Sequence, residues 1–369
     1  MENGELTITT ETLRTWLAEG KPVFILDVRP KDQREEWQIP DSHFIDAYQR
    51  LKAGDMSVMD EVNIPGHIPV VTVCEAGRTS RVAARALMTK GIEVYSLEGG
   101  MKAWSLAWNE AELNNENMKI IQVRRTGKGC LSYIIGSEDE ALVIDSSIDP
   151  EVYVKLAKAN NWQIKIVIDT HIHADHLSRS RELARMTNSD LFMPEQDKVN
   201  FAFHKISNDD TLKFGTSILR AISTPGHTLE STSYILDEEY LFTGDTLFTN
   251  SVGRPDLKAD LDSTKARARL LYRSLQKLLT LPGETVVLPG HTSKPIEFDG
   301  RVIQRSLSEI KASVEMLKLK EDEFIDRVLQ GIPATPPNYV SIIEKNLRGD
   351  YSDINPVDLE AGANRCAIA

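Results

Sequence analysis

Five of the eight histidines in this chain stand where they could hold a metal ion. Residues 170–176 read Thr-His-Ile-His-Ala-Asp-His, which packs His171, His173 and His176 and the carboxylate of Asp175 into six residues. An apolar run, 164–169, precedes the segment and a helical pattern follows it, so these side chains should gather at the C-terminal end of a strand. Neutral imidazole suits Zn, Fe, Cu or Ni, and carboxylate adds a harder oxygen ligand. Three later turns each offer one more group: His227 in Thr-Pro-Gly-His-Thr (224–228), Asp245 in Thr-Gly-Asp (243–245) and His291 in Pro-Gly-His (289–291). Singly, each reads as a turn or cap residue. Together, with the strands expected before them, they form a candidate ligand set.

A second chemistry is suggested by Cys74, which follows the apolar run Pro-Val-Val-Thr-Val (69–73) and opens Glu75-Ala76-Gly77-Arg78-Thr79-Ser80 before a helix. A cysteine between a strand end and a helix N-terminus meets backbone N–H groups and the positive end of the helix dipole. Both favour the thiolate, the form that attacks sulfur. Gly77 would let the backbone fold tightly round the sulfur, and Arg78 and Arg81 add positive charge. On the cysteine alone, a buried inert thiol is the simpler reading.

The elements that must carry these groups fall into two sets. Apolar, β-branched runs at 23–26 and 69–73 alternate with helical patterns such as 79–90, which ends at Gly91. That is the signature of an α/β domain with a buried parallel sheet. The polar, Asn-rich stretch 112–118 is the expected linker. Beyond it, strands are expected at 119–125, 131–136, 141–145, 164–169, 218–223, 233–236, 240–243 and 285–288, and helices near 150–160, 263–279 and 301–319. The tail beyond Pro333 is expected to hold little regular structure. The expected division is a domain at 1–112, a metal domain at 118–350 and a tail at 351–369.

Bulk properties narrow the class. A length of 369 residues suggests two domains. A net charge of −12 without any Lys/Arg-rich run argues against nucleic-acid binding. No run approaches the roughly 18 apolar residues of a membrane span, and the N-terminal residues lack a signal-peptide pattern. The three cysteines, Cys74, Cys130 and Cys366, lie far apart without a CxxC pair, so a reducing cytoplasm is expected. Cys130 is expected to be core, and Cys366 has no assigned role. Self-association into a homo-oligomer is compatible with the sequence.

The first region resembles the rhodanese family in three places, in order over residues 5–110. These are Leu26-Asp27-Val28-Arg29, the loop Cys-Glu-Ala-Gly-Arg-Thr-Ser (74–80), and Leu97-Glu98-Gly99-Gly100 with Trp104. It departs at Gln38-Ile39-Pro40-Asp41-Ser42, where the family usually has Gly-His-Ile-Pro-Gly-Ala. The resemblance implies that Cys74 carries sulfane sulfur as a persulfide. Gly77, Arg78 and the loop amides would hold the anionic donor or acceptor, thiosulfate or sulfite among them.

Residues 118–300 resemble the metallo-β-lactamase superfamily, which implies a four-layer αβ/βα sandwich with the metal site at one edge of its sheets. Its two-metal members use seven positions. Here those are His171, His173, His227 and Asp245 for one ion, and Asp175, His176 and His291, sharing Asp245, for the other. Residues 242–246 and Val252-Gly253-Arg254-Pro255-Asp256 are similar to the persulfide dioxygenase branch. The glyoxalase II branch usually has aromatic residues after that Gly-Arg. The first branch implies one Fe(II) per chain on His171, His227 and Asp245. His173, Asp175, His176 and His291 would then orient ligands and hold water. The substrates would be O2 and a low-molecular-weight thiol persulfide such as glutathione persulfide, and the products sulfite and free thiol. The alternative is a thioester hydrolase of the glyoxalase II type with two zinc ions. A sulfur-relay protein with little turnover at the metal is a third reading. Arg254 either pairs with Asp256 or binds an anionic thiol. Pro336-Pro337-Asn338-Tyr339 resembles a C-terminal element of rhodanese-linked members of the branch.

Overall fold

The computed structural model describes residues 7–115, 117–257, 259–292, 294–335, 338–362 and 365–368. Pro336 and Pro337 of the C-terminal element lie outside them.

In the first domain, strands β1 (Thr7–Ile8), β2 (Phe24–Asp27), β3 (His43–Phe44), β4 (Val70–Val73) and β5 (Val94–Leu97) form one sheet in the order β1-β5-β4-β2-β3. Every pairing in it is parallel. β2 and β4 are buried along their whole length, as expected of central parallel strands covered on both faces. The two-residue side-chain period sorts Phe24 and Leu26 to one face, with α3 (Tyr48–Lys52) and α4 (Arg78–Met88). Ile25 goes to the other, with α1 (Thr10–Ala18) and α5 (Gly100–Trp104). A short α2 (Lys31–Glu36) follows β2. Residues 37–42 form a turn held by Arg29, which donates to Trp37 O at 2.7 Å, and by Arg34, which donates to Ser42 O at 2.6 Å.

The second domain stacks two sheets. Strands β6 (Trp108–Asn114), β7 (Met118–Arg125), β8 (Leu131–Ser137), β9 (Glu140–Ile144), β10 (Gln163–Ile168), β11 (Asp190–Pro194) and β12 (His204–Ile206) run in sequence order across the first. The second has the order β13 (Thr211–Phe214), β14 (Ser217–Ser223), β15 (Thr232–Leu236), β16 (Tyr240–Gly244), β18 (Val286–Pro289) and β19 (Arg305–Ser306). Strand β17 (Val252–Gly253) pairs instead with β20 (Ala367–Ile368). Along β8, Tyr133 and Ile135 face the core between the sheets, with Tyr234 and Phe242. Ile134 faces the helix layer of α6 (Pro150–Ala159) and α7 (Ser180–Thr187). On the far side, α8 (Leu261–Leu278), α9 (Leu307–Ser313) and α10 (Glu321–Gln330) cover the second sheet. The result is the expected four-layer sandwich. No helix among the described residues is long and apolar enough to cross a membrane.

The boundaries depart from the sequence reading. Residues 112–118 are no linker, because β6 and β7 pair antiparallel from Trp108–Arg125 through Asn114–Lys119. Their polarity is that of an edge strand with one solvated face: Glu110, Glu112 and Asn114 are exposed while Ala111 is buried. The domains meet instead at residues 105–107, where Arg125 donates to Ser105 O and Thr126 N donates to Ala107 O. The region 301–319 is also shorter in helix than expected: residues 301–304 are in neither helix nor strand, β19 follows, and only then α9. Nor is the end of the chain irregular. It forms α11 (Tyr339–Arg348), α12 (Pro356–Glu360) and β20, packed back onto the second domain.

Candidate functional site

Cys74 sits at the mouth of β4, 2% exposed, with α4 beginning four residues later. Ser80 Oγ donates to its Sγ at 3.3 Å and shares a 2.8 Å hydrogen bond with Ser96 Oγ. Gly77 is left-handed (φ 77°) and caps α4. Gly100 lies so close that a Cβ there would stand 2.2 Å from Cys74 O, which excludes any side chain. In its place Met101 N and Lys102 N bind the carbonyls of Cys74 and Glu75. Arg78 is exposed at the start of α4.

The histidine-rich groups converge at one end of the sandwich. His171 follows β10, His227 follows β14, Asp245 ends the turn after β16 and His291 follows β18. Gly226 has φ 149°, and a Cβ on it would lie 2.4 Å from Leu271 Cα, so only glycine brings His227 this far in. His227 Nδ1 bonds Arg254 O at 2.7 Å and His171 Nδ1 bonds Thr170 Oγ1 at 2.9 Å. Each bond turns the ring's Nε2 inward. Those atoms stand 3.6 Å (His227) and 3.9 Å (His171) from Asp245 Oδ2. His171 Nε2 and Asp245 Oδ2 are buried without any other hydrogen-bond partner among the described residues. Two inward nitrogens and an orphaned carboxylate oxygen fit one divalent ion. Burial, with His173 and His227 nearby, pushes His171 well below the usual histidine range and keeps it a neutral donor. Burial alone would raise the Asp245 carboxyl, but His291, His171 and His227 hold it far down.

The other four expected groups behave differently. His173 does not join the triad: its Nε2 meets Asp145 Oδ1 at 3.1 Å, beside Asp169. Asp145 is anchored by accepting from Thr170 N and Oγ1, both at 2.7 Å. His291 has both nitrogens engaged, Nδ1 with Asp245 Oδ1 at 2.5 Å and Nε2 with Asp175 Oδ2 at 2.7 Å. Those two carboxylates overcome burial and raise it well above the histidine range. His176 Nδ1 meets Asp175 Oδ1 at 3.1 Å, and burial's downward push is outweighed by Asp175, which lifts His176 to about 10.

Sequence reasoning missed two thiols here. Cys130 is core as expected, but its Sγ lies 3.4 Å from Asp175 Oδ2 and joins Asp175, His176 and His291 as possible ligands of a second ion. Burial and Asp175 push this thiol up, yet His291, His176 and Arg125 bring it down to about 6. Cys366 lies beside Asp245 and His291, carried there by the β17–β20 pair. Nothing local in Asn364-Arg365-Cys366 could have signalled it.

Of the two roles expected for Arg254, the pairing with Asp256 is the one seen, and binding of an anionic thiol is corrected. Arg254 is fully buried, and all five of its N–H groups are used. Nε and Nη2 bind Asp256, while Nη1 and Nη2 also bind the carbonyls of Ala334, Arg365 and Pro333. No donor is left for a substrate, so Arg254 fastens the returning tail. An open cavity of about 230 Å³ lies beside His227, lined largely by apolar side chains including Ile172, Leu229, Leu257 and Ile343, with Lys198 and Arg267.

Comparison with known proteins agrees with this geometry. The rhodanese-like domain family matches residues 9–107, and the metallo-beta-lactamase superfamily matches 125–202 and 189–291. The chain is a rhodanese-like domain followed by a metallo-β-lactamase-fold domain. Among curated relatives, a hydroxyacylglutathione hydrolase of Bartonella tribocorum is 37% identical over 137 residues, covering 36% of this chain and 51% of that protein. One of Methylobacillus flagellatus is 29% identical over 206 residues, covering 55% and 76%. This metallo-β-lactamase-fold chain thus spans about half the length of the first of these relatives. Among solved structures, a metallo-beta-lactamase from Staphylococcus aureus subsp. aureus COL has a TM-score of 0.59 at 28% identity, covering 65% of this chain and 76% of that one. ETHE1 from Myxococcus xanthus has a TM-score of 0.53 at 26% identity, covering 66% and 100%.

Proposed function

We propose that the chain oxidises a low-molecular-weight thiol persulfide with O2 to sulfite and free thiol, at one Fe(II) held by His171, His227 and Asp245. Cys74 would carry sulfane sulfur in the attached domain. The observation that carries this reading is the contrast between the two groups of ligands. The triad's His171 Nε2 and Asp245 Oδ2 have no partner and converge with His227 Nε2. In the other group, although His173 Nδ1 and His176 Nε2 are unpartnered too, both nitrogens of His291 are taken by Asp245 and Asp175 and His173 Nε2 by Asp145. Two histidines and one carboxylate leave open positions for substrate and O2, and an iron ion there would supply the redox chemistry.

The protein's own groups then have definite tasks. The Arg254 carbonyl takes the Nδ1 proton of His227, which fixes the tautomer and points the Nε2 lone pair inward. His291, between Asp175 and Asp245, holds a proton next to the site. The apolar walls beside His227 receive the body of the thiol and limit water. In the first domain, Cys74 thiolate would displace sulfite from thiosulfate and form Cys74-S-S⁻. A thiol acceptor would take that outer sulfur, leaving as the persulfide and returning Cys74 to thiolate. Oxidation then consumes one persulfide, one O2 and one water, and yields one thiol and one sulfurous acid.

A second reading is favoured by the names of the curated relatives: a dinuclear zinc thioester hydrolase, with Cys130, Asp175, His176 and His291 beside a second ion. Metal analysis of protein purified without chelators, together with O2 uptake on glutathione persulfide, separates them. About one iron per chain with O2 consumption is expected. Two zinc ions, no O2 uptake and thioester cleavage would replace this reading with the second.

A further inference from the structure

Residues 169–179, which carry His171, His173, Asp175 and His176, contain no helix or strand. Such a segment cannot fix four candidate ligands through its own backbone ladder. Side chains from the returning C-terminal region bind its backbone instead. Asn346, on α11, spends its whole amide on it: Nδ2 donates to His173 O and His176 O at 2.9 Å each, and Oδ1 accepts from Ser178 N at 2.9 Å. Two carbonyls on one side and an amide on the other fix which way this amide points. Glu360, the last residue of α12, is fully buried. Its Oε1 accepts from Leu177 N at 2.5 Å, and its Oε2 accepts from Arg179 Nη2 at 3.3 Å and Arg125 Nη2 at 3.4 Å.

We propose that Asn346 and Glu360 are positioning residues of the metal centre, holding the ligand loop in its binding shape from about 170 residues further along the chain. Stability alone does not account for them. A buried ion-pair triad is often no more stabilising than apolar residues of the same volume. What the triad adds is direction: only a charged acceptor in that place draws the Leu177 amide and two guanidinium forks to one point. Asn346 similarly takes the carbonyl of His173 and that of His176 together, which sets the turn between them.

The inference concerns metal binding and stands under either reaction considered above. Its test is therefore Co(II) binding by the full chain, titrated against a competing chelator and followed by visible absorption. For Asn346→Leu and Glu360→Gln, affinity should fall about 10- to 100-fold, the range typical of groups that orient ligands, and the absorption envelope should change shape. Glu360→Asp should recover part of the loss. In metal-free protein, the Leu177 and Ser178 amides should exchange faster in the variants. Cys74-dependent sulfur transfer in the same molecules should persist, which reports a folded first domain, and the metal-free second domain should still unfold cooperatively. Parental affinity and spectrum in both variants would overturn the proposal. So would a loss of affinity accompanied by melting of the whole metal-free second domain, since that is a stabilising role only. Should Asn346→Leu fail to fold, Glu360→Gln decides alone. Failure of O2 uptake with normal Co(II) binding would count against the oxidation reading and leave this test untouched.

Discussion

His171 and Asp245 each turn one buried atom toward a point that no protein group fills, and His227 faces the same point. His171→Ala should remove a ligand without unfolding the domain. Elemental analysis should show loss of the bound metal, and O2 uptake should vanish while sulfur transfer through Cys74 continues. Arg254 lends itself to the opposite kind of test. Arg254→Ala leaves Asp256 and three carbonyls without their partner, and removing one member of a buried pair costs roughly 3 kcal/mol or more. Denaturant titration should show that loss. Arg254→Lys should not restore it, because an ammonium cannot fork to five acceptors. KM in the surviving folded protein should stay unchanged, since the guanidinium touches no substrate.

At the scale of elements, the C-terminal helices wall the site. Ile343, on α11, lines the cavity beside His227. Ile343→Asp should lower kcat/KM by about 10-fold or more with metal content intact, as checked by steady-state kinetics beside metal analysis. Glu360, at the end of α12, gives a pH signature. Burial would raise its carboxyl, but Arg125, Arg179 and the Leu177 amide hold it below the usual glutamate range. A carboxyl held down in the folded state adds stability that is complete above its unfolded value, about 4.3. That stability is lost as pH falls through the folded value. Parent and Glu360→Gln should therefore differ in denaturant midpoint near neutrality, and the gap should close as the pH drops below about 4.

What could be read from the sequence follows the same division. Strands β2, β4, β8, β9, β10 and β16 were legible because buried apolar runs have few other uses, and the ligand loops because each follows such a run. Helix α4 was legible between Cys74 and Gly91. Residues 112–118 misled because the polar face of an edge strand and a linker share a composition. Cys130 could be placed in the core but not beside Asp175, since its neighbours arrive from 45 or more residues away. His173 was expected as a ligand only in the two-metal alternative and otherwise as an orienting group, and Asp145, at the end of another strand, takes its Nε2. Asn346, Glu360 and Cys366 carry no local mark at all, because their meaning depends on how the tail returns.

For the molecule as a whole, the junction between domains is short and hydrogen-bonded. Arg125 reaches Ser105 O on one side and Glu360 on the other, and Arg365 pairs with Glu36 across the boundary at 2.5 Å. If the two sites work in series, Cys74→Ser should leave O2 uptake on supplied persulfide unaltered. With thiosulfate and thiol as the only sulfur source, O2 uptake should disappear. Unchanged uptake from thiosulfate would separate the domains functionally.

The return of the tail also sets an order in time. A ribosome releases Leu177 and Arg179 long before it reaches Glu360, and His173 and His176 long before Asn346. Until those later residues emerge, the loop between β10 and α7 has its ligands but not the groups that shape it, and two arginines wait for one carboxylate. On the proposed function, a nascent chain would thus finish the first domain, and could load Cys74 with sulfur, while the loop of the metal site is still unshaped. If Asn346 and Glu360 position the loop as proposed, capture of the ion would be one of the last events in making the protein, and a chain stalled late in translation would keep its first domain but hold metal poorly.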